Sequence, residues 1–473
     1  MSRGWGEVGR AEILCGDAYE LVESLPDASV DLILTSPPYY GLRTYGAAAV
    51  RVWGGDPSCP HAWEGGDPAG PGGQLCGKCG AWRGQLGLEP SVGMYVEHLR
   101  GFFRLCLRVL KPSGNLALNL GDTFARNPAK GGSGPGSKER AYAGGGLGAV
   151  KKDKRDADKW CRLSDLAAQC EFPEKMKLGV PWRVRFALND DGWVSRDDIV
   201  WEKPNSMPSS AGSRLTVVYE MVFRFVKDAR PGPYCRLRSS ALLNAPDAAA
   251  EFGRRCGTWG SVGVLPQEMC EPEWAPHLAR LDAYFDLDAV RLPLAESSAR
   301  RALQATLERQ SGGPKAAGYA AAAAHGQGRA IPDLLRSLKV RAAREQGKWG
   351  LASVSRTVDG LHDGDWQRYF HPWGKNPGDV WPIPTEGFEG AHFAVMPLRL
   401  CRLLVMLLCP PGGLVLDPFS GSGTVLVAAA QVGRRALGME INPEYAELAR
   451  ARLAREGSQM TVWEVASAAG GGV

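Results

Sequence analysis

A chain of 473 residues with 44% apolar residues can bury the cores of two or three domains, which excludes a wholly disordered or low-complexity polymer. Its formal net charge of +5 is too small to mark a polyanion-binding protein by itself, but the charge is unevenly placed. Residues 291–348 hold 11 Lys/Arg against 4 Asp/Glu and residues 129–160 hold 8 against 4, so the remainder is acidic. Basic character concentrated in this way suggests polyanion contact in those two segments. The apolar run Leu403–Cys409 is too short to span a bilayer, and Met1–Gly6 has no apolar segment behind it. No membrane association is expected, and the expected compartment is the cytoplasm. There the twelve scattered cysteines read as free thiols or metal ligands rather than disulfides.

In chain order, Ala11–Cys15 and Asp31–Leu34 read as strands and Tyr19–Leu25 as the helix between them. Residues 46–90, rich in Gly, Pro and Cys, read as an irregular insertion. Met94–Leu110 is an amphipathic helix with Tyr95, Leu99, Phe102, Phe103, Cys106 and Val109 on one face. Lys111-Pro-Ser-Gly114 ends it, and Asn115–Leu120 is a strand. The Gly- and Ala-rich stretch within residues 127–160 is read as mobile. Asp198–Trp201 and Glu220–Val226 read as strands, with Tyr284–Asp288 as a candidate pairing partner. Residues 229–280 and 291–370 are biased in composition and poorly periodic. Pro397–Leu408 is a helix, Leu414–Leu416 a strand, Val425–Val432 a helix and Arg435–Met439 a strand. Asn442 and Pro443 then start the helix Glu444–Leu453 as N-cap and first-turn proline. At least five strands interleaved with helices predict a parallel α/β sheet, with ligands outside the carboxyl ends of the strands.

Two loops at such ends carry the chemistry. Asp417-Pro-Phe419-Ser-Gly421-Ser-Gly423-Thr424 joins strand to helix, and its glycines permit a tight turn and close approach of backbone to ligand. Glu440 closes the next strand about 20 residues on, where an acidic side chain can accept both ribose hydroxyls of a nucleoside. The loop contains no lysine, so it is not built for phosphates. Ser36-Pro37-Pro38-Tyr39 follows the other strand. Two successive prolines stiffen it. Its acceptors, Ser36 Oγ and the Pro37 carbonyl, can surround an exocyclic NH₂ group and favour a pyramidal nitrogen with a free lone pair. Tyr39 can stack on a base turned out of a duplex.

Together these loops resemble those of the amino-methyltransferases that use S-adenosylmethionine to methylate DNA bases. The order, catalytic loop first and cofactor loop last, resembles the circularly permuted beta class. The resemblance spans roughly residues 11–125, 180–228 and 371–456, and includes Asn119-Leu-Gly-Asp122 and Val200-Trp-Glu-Lys203. It implies an α/β fold: a Rossmann-like methyltransferase sheet, circularly permuted, with an inserted target-recognition region and a small zinc-knuckle insertion. It implies cofactor contacts from Asp17, Phe393, Asp417, Phe419, Gly421, Gly423, Thr424 and Glu440, with Asp17 at the adenine and the segment His392–Pro397 covering the cofactor. Trp201, Lys203 and Pro204 are expected to line the pocket for the flipped base. In this family Thr-Ser ahead of the two prolines, here Thr35-Ser36, more often accompanies cytosine N4, and Asp or Asn accompanies adenine N6. Cytosine-N4 methylation of duplex DNA is therefore the expected activity and adenine-N6 methylation the alternative. Cytosine C5 chemistry is disfavoured because no cysteine follows a proline. A DNA-binding regulator without catalysis is the reading from another class, against which both intact loops argue.

Cys59-Pro-His61 and Cys76-Gly-Lys-Cys79 supply four ligands of the type that closes a tetrahedral structural zinc site. The division expected is residues 1–228 as catalytic half, 229–370 as target-recognition region and 371–473 as cofactor half. The basic side chains Arg300, Arg301, Arg336, Lys339, Arg341 and Arg344 are the candidate DNA contacts of the middle region. Double-stranded DNA is the expected partner, and a cognate restriction endonuclease is a candidate one.

Overall fold

The computed structural model describes residues 11–125, 172–173, 175–209, 212–228, 230, 234–237, 264–266, 278–281, 283–292, 376–386 and 396–457. Phe393, all six basic candidates between Arg300 and Arg344, the segment 127–160 and most of 229–370 lie outside the described residues.

The elements follow one another as β1 (Ala11–Cys15), α1 (Ala18–Glu23), β2 (Val30–Thr35), four short strands β3 (Arg51–Trp53), β4 (Trp63–Gly65), β5 (Gln74–Cys76) and β6 (Trp82–Gly84), then α2 (Val92–Val109) and β7 (Leu110–Leu120). After them come α3 (Val180–Asp190), β8 (Val194–Glu202), β9 (Tyr219–Val226), β10 (Tyr234–Leu237), β11 (Val264–Pro266) and β12 (Leu278–Leu281). The chain continues with β13 (Val380–Pro382), α4 (Leu398–Leu408), β14 (Leu414–Asp417), α5 (Thr424–Gln431), β15 (Arg435–Glu440) and α6 (Pro443–Glu456). Two units divide it. One comprises Met1–Pro233, Asp282–Phe285 and Gly378–Thr461; the other comprises Tyr234–Leu281, Asp286–Pro377 and Val462–Val473. In the second, β10 pairs antiparallel with β11 on one side and β12 on the other.

The first unit is built on an eight-stranded sheet in the order β1-β15-β14-β2-β7-β9-β8-β13. Every residue of β2 and of β14 is buried, as befits continuous apolar runs in the middle of a sheet covered on both faces. α2 begins at Ser91, whose hydroxyl accepts from Met94 N, and it buries the face the spacing predicts. Asp31, a charge inside β2, is held by Lys111 Nζ at 2.8 Å to both carboxylate oxygens and by the Leu414 N–H at 2.8 Å. The pairing stitches three neighbouring strands and keeps a buried carboxylate satisfied.

The sheet departs from the expected all-parallel arrangement at β9, which runs against both β7 and β8. β8 and β9 follow one another in the chain, with residues 203–218 between them, and pair directly as antiparallel neighbours. Tyr284–Asp288 does not pair with these strands. Tyr284 instead docks at the start of β7, its N–H on Ser113 O at 3.1 Å and its carbonyl accepting from Asn115 Nδ2 at 2.9 Å. Residues 46–90 are more regular than their composition suggests: β3-β6-β5-β4 form a four-stranded antiparallel sheet. Among the described residues no helix is long and apolar enough to cross a membrane.

Strand directions decide which loops meet. The carboxyl ends of β1, β15, β14, β2 and β7 share one edge of the sheet. Because β9 is reversed, its first residues, Tyr219 and Glu220, come to the same edge, together with the end of β8 and Lys203.

Candidate active site

Asp417 ends β14 and is buried, at 3% exposure. Its Oδ1 accepts from Thr35 Oγ1 at 2.7 Å and from Phe419 N at 3.2 Å. The first of these bonds ties the strand that leads into Ser36 to the strand that leads into the glycine loop, across 382 positions of sequence. Burial pushes the Asp417 carboxyl up to about 7; the two hydrogen bonds oppose that rise and the charge of Glu440 adds to it.

Gly421 and Gly423 both have left-handed backbone, φ 50° and 76°. Gly421 N donates to Glu440 Oε2 at 2.8 Å, and Asn442 N donates to Glu440 Oε1 at 2.9 Å. A Cβ on Gly423 would sit 3.0 Å from Ala449 Cβ, so α5 and α6 pack closely only because the side chain is absent. On the neighbouring strand, Gly16 N donates to Glu440 O at 2.9 Å, which places Asp17 beside this corner. Asp17 Oδ1 caps α1 through Tyr19 N at 2.8 Å, and Oδ2 is ion-paired with Arg51 of β3.

Three carboxylates therefore stand at the ends of β14, β15 and β1. The left-handed Gly421 and Gly423 stand among them, and the N-terminus of α5 follows. This donor set suits a cofactor with a cationic end and a nucleoside end: a buried acid for the cation, an acid bridged by backbone N–H groups for a ribose diol, and no lysine for phosphate. Phe419 is half-buried with its ring 4.9 Å from that of Phe102. Thr424 is placed differently from the other predicted cofactor residues. Its buried Oγ1 accepts from Arg452 Nη1 at 2.7 Å, so its side chain braces α5 against α6.

The Ser36–Tyr39 loop leaves β2 beside this corner. Ser36 Oγ donates to Tyr39 Oη at 3.1 Å. Tyr39 Oη lies 2.8 Å from both Asn119 Oδ1 and Glu220 Oε2, and donates its proton to one of them. Glu220 is in turn ion-paired with Lys203. Tyr39 is pushed well above its ordinary value by burial and by the charge of Glu220, so the phenol keeps its proton. Because Ser36 spends its proton on Tyr39, its lone pairs remain available to accept from an amine. Tyr95 Oη holds the Pro38 carbonyl at 2.8 Å, and Gly41 N donates to Gly87 O at 2.7 Å.

A Cβ on Gly121 would lie 2.6 Å from the Tyr39 ring. Gly121→Ala is therefore expected to push the ring aside and lower turnover roughly tenfold, the order of loss that follows small misplacements of a positioning group. Cofactor affinity measured by calorimetry should stay within about twofold.

Trp201 requires a correction. It is buried at 3%, its indole N–H donates to Ile383 O at 2.8 Å, and its ring lies under Lys203 Nζ at 4.3 Å. It supports Lys203 from below and has no free face for a base. Glu220, Asn119 and Arg51 were not assigned roles from sequence. Asn119 carries a signal there as part of the Asn119–Asp122 resemblance, and Glu220 as an acid at the head of a strongly apolar strand.

The Cys/His set converges. Cys59, His61, Cys76 and Cys79 bring their ligand atoms within 4.8 Å of one another, with Cys59 Sγ to Cys76 Sγ at 4.0 Å and Cys79 Sγ to His61 Nδ1 at 3.3 Å. Ligands about 2.0–2.3 Å from a tetrahedral zinc ion stand roughly 3.5–3.8 Å apart, close to these separations. Gly80, at φ 72°, turns the chain so that its N–H meets Cys76 O, while Ala62 N points at Cys76 Sγ at 3.3 Å. Burial works to raise the Cys76 thiol, but the N–H groups of Cys79, Lys78 and Ala62 and the His61 ring outweigh it and hold the thiol at about 6.

Fold and site define an α/β protein whose glycine loop and Ser36–Tyr39 loop meet at one edge of a large, mostly parallel sheet. The chain belongs to the DNA methylase family of N6/N4 type, whose family model matches residues 30–451. Among its relatives are the type II methyltransferases M.SmaI of Serratia marcescens and M.SfiI of Streptomyces fimbriatus. The first is 25% identical over 94% of this chain and 91% of its own length, the second 29% identical over 91% and 88%. Among solved structures, the PvuII DNA methyltransferase, described as cytosine-N4-specific, is 14% identical, covers 98% of this chain and 91% of its own, and has a TM-score of 0.41.

Proposed function

We propose that this DNA methyltransferase transfers a methyl group from S-adenosylmethionine to the exocyclic N4 amine of cytosine in duplex DNA, as the modification enzyme of a type II restriction system. The observation that carries it is the Thr35–Asp417 hydrogen bond, which brings the amine loop and the cofactor loop into one cleft. When bound, the cofactor supplies a methyl group on a cationic sulfur. The protein's own part is positional. Asp417 offers a buried carboxylate to positive charge. Glu440 and Asp17 offer acceptors to ribose and adenine, with Phe419, Gly421 and Gly423 around them; Phe393, outside the described residues, is a proposed further contact. Ser36 Oγ and the Pro37 carbonyl accept from the N4 amine, drawing its lone pair out of conjugation. Tyr39, held upright by Ser36, Asn119 and Glu220, supports the extruded base.

The strand that bears the cofactor loop comes late in the chain yet lies beside β2, which supports the circularly permuted reading. Residues 229–370 are the proposed target-recognition region between a catalytic half, 1–228, and a cofactor half, 371–473. Arg300, Arg301, Arg336, Lys339, Arg341 and Arg344 are its proposed DNA contacts. The Cys59/His61/Cys76/Cys79 set holds a structural zinc ion, since all four positions of a tetrahedron are taken by protein. The type II naming of the relatives supports a restriction endonuclease as the functional partner; the cytoplasm is the proposed place of action.

DNA methylated by the purified enzyme, digested to nucleosides and weighed, should yield N4-methyldeoxycytidine. N6-methyldeoxyadenosine in its place would overturn the choice of base and leave the amino-methyltransferase standing. No methylated nucleoside in the presence of bound cofactor would favour a DNA-binding regulator.

A further inference from the structure

The four-stranded Cys/His sheet reaches the cofactor corner. β3 pairs only with β6 within it, in the register Arg51↔Gly84 and Trp53↔Trp82. β6 begins three residues after the ligand Cys79, and β5 ends on the ligand Cys76. The strands are three residues long, so hydrogen bonding alone holds them weakly. From this sheet Arg51 extends to Asp17 Oδ2, with its guanidinium 4.4 Å above the Tyr19 ring and 5.6 Å from that of Trp53. Opposite Arg51 stands Gly84, so no cross-strand side chain holds it, and Asp17 and Tyr19, which do, both lie outside the sheet; β3 has to bring Arg51 to them.

A continuous run of aromatic contacts joins the same sheet to the cofactor loop. Trp53 meets Tyr19 at 5.0 Å, Tyr19 meets Phe102 at 4.8 Å, and Phe102 meets Phe419 at 4.9 Å. Trp53 also stacks on His98 at 4.1 Å, and His98 is fixed by Glu89 at 3.0 Å.

We propose that the zinc-bound sheet is a working wall of the cofactor pocket: the metal fixes β6 and β5, these fix β3, and β3 delivers Arg51 to Asp17 on the adenosine side. The inference rests on the zinc and S-adenosylmethionine readings above and assigns a cofactor-positioning role to Arg51. Asp17 then has one oxygen held by Tyr19 N and the other by Arg51, and each oxygen keeps a lone pair for an adenine amine. A charge-assisted pair that orients such an acceptor is worth about tenfold in affinity.

The test uses the full-length protein, with zinc measured by elemental analysis and S-adenosylmethionine affinity by calorimetry. Wild type is expected to hold one zinc ion per chain and to bind the cofactor. Stripping with chelator should weaken binding at least tenfold, and adding zinc back should restore it. Arg51→Ala should retain its zinc and bind about tenfold more weakly, with little further loss on stripping, because metal and arginine act along one path. Arg51→Lys should recover part of the loss. If stripping unfolds the chain, Arg51→Ala decides alone, since it leaves all four ligands in place. Affinity within twofold of wild type in zinc-loaded Arg51→Ala overturns the inference, as does unchanged affinity in stripped wild type. Wild type that binds S-adenosylmethionine without zinc overturns it while leaving the methyltransferase reading intact. Wild type that holds zinc but binds no cofactor overturns that reading and this inference with it.

Discussion

Asp417→Ala is expected to abolish measurable binding of S-adenosylmethionine. The carboxylate is the buried junction of β14 with the catalytic loop. Its removal leaves Thr35 Oγ1 and Phe419 N without their acceptor and opens a hole at the start of the glycine turn. Each orphaned buried donor costs about 1–3 kcal/mol, and the charge that would face the cofactor's cation is lost as well. Calorimetry showing affinity within a few-fold of wild type would sink the assignment of Asp417.

Asp417→Asn keeps the shape and tests the charge. The folded carboxyl titrates near 7, above its ordinary value of 3.8. The folded protein thus binds a proton that the unfolded chain has released between those two values, so stability from this group is fully present below about pH 4 and is lost as pH rises through 7. Urea melts of the cofactor-free protein should show this decline, of a few kcal/mol in total by linkage, and Asp417→Asn should flatten it. A cation bound beside Asp417 favours the charged form. Cofactor binding at pH 6 should therefore release a proton, visible as buffer-dependent heat in wild type and absent from Asp417→Asn.

Tyr39→Ala should lower methyl transfer about 100-fold while cofactor affinity changes little, because the ring's task is exercised only in the productive complex. Single-turnover transfer of labelled methyl to a duplex oligonucleotide is the measurement. Tyr39→Phe separates ring from hydroxyl. It cuts the ties to Ser36, Asn119 and Glu220, so Ser36 loses the acceptor for its proton. An intermediate loss is expected, since the ring remains but Ser36 can turn away from the amine. Equal losses of cofactor affinity and turnover in Tyr39→Ala would make the ring a structural support only.

The parts of this site legible in the sequence are those made by contiguous residues. Asp31–Leu34 and Leu414–Leu416 announce buried strands because an interior strand has no polar face to alternate, and the turns after them carry their own glycines and prolines. Glu220 was legible as part of a strand but not as part of the site, because its arrival at the active edge depends on the reversal of β9, a property of pairing. Arg51 was hidden for another reason. Its strand is three residues long, too short to show a period, and lies in a segment whose composition suggests no sheet at all. Trp201 shows the converse: an aromatic residue in the expected position can be absorbed by the core once a late strand, β13, is laid against it.

The pairing of β2 with β14 also governs how the enzyme comes into being. Leu32 and Ile33 lie beside Val415 and Leu416, near the middle of the eight-stranded sheet. On the ribosome, at about 5–20 residues per second, β2 must wait roughly 20–80 s for that neighbour, with one apolar edge unmatched. Contacts of such long range are slow to form and leave nascent chains prone to aggregate. By the same delay, a chain interrupted before β14 would carry the proposed amine loop with no partner strand beside it for the proposed cofactor loop.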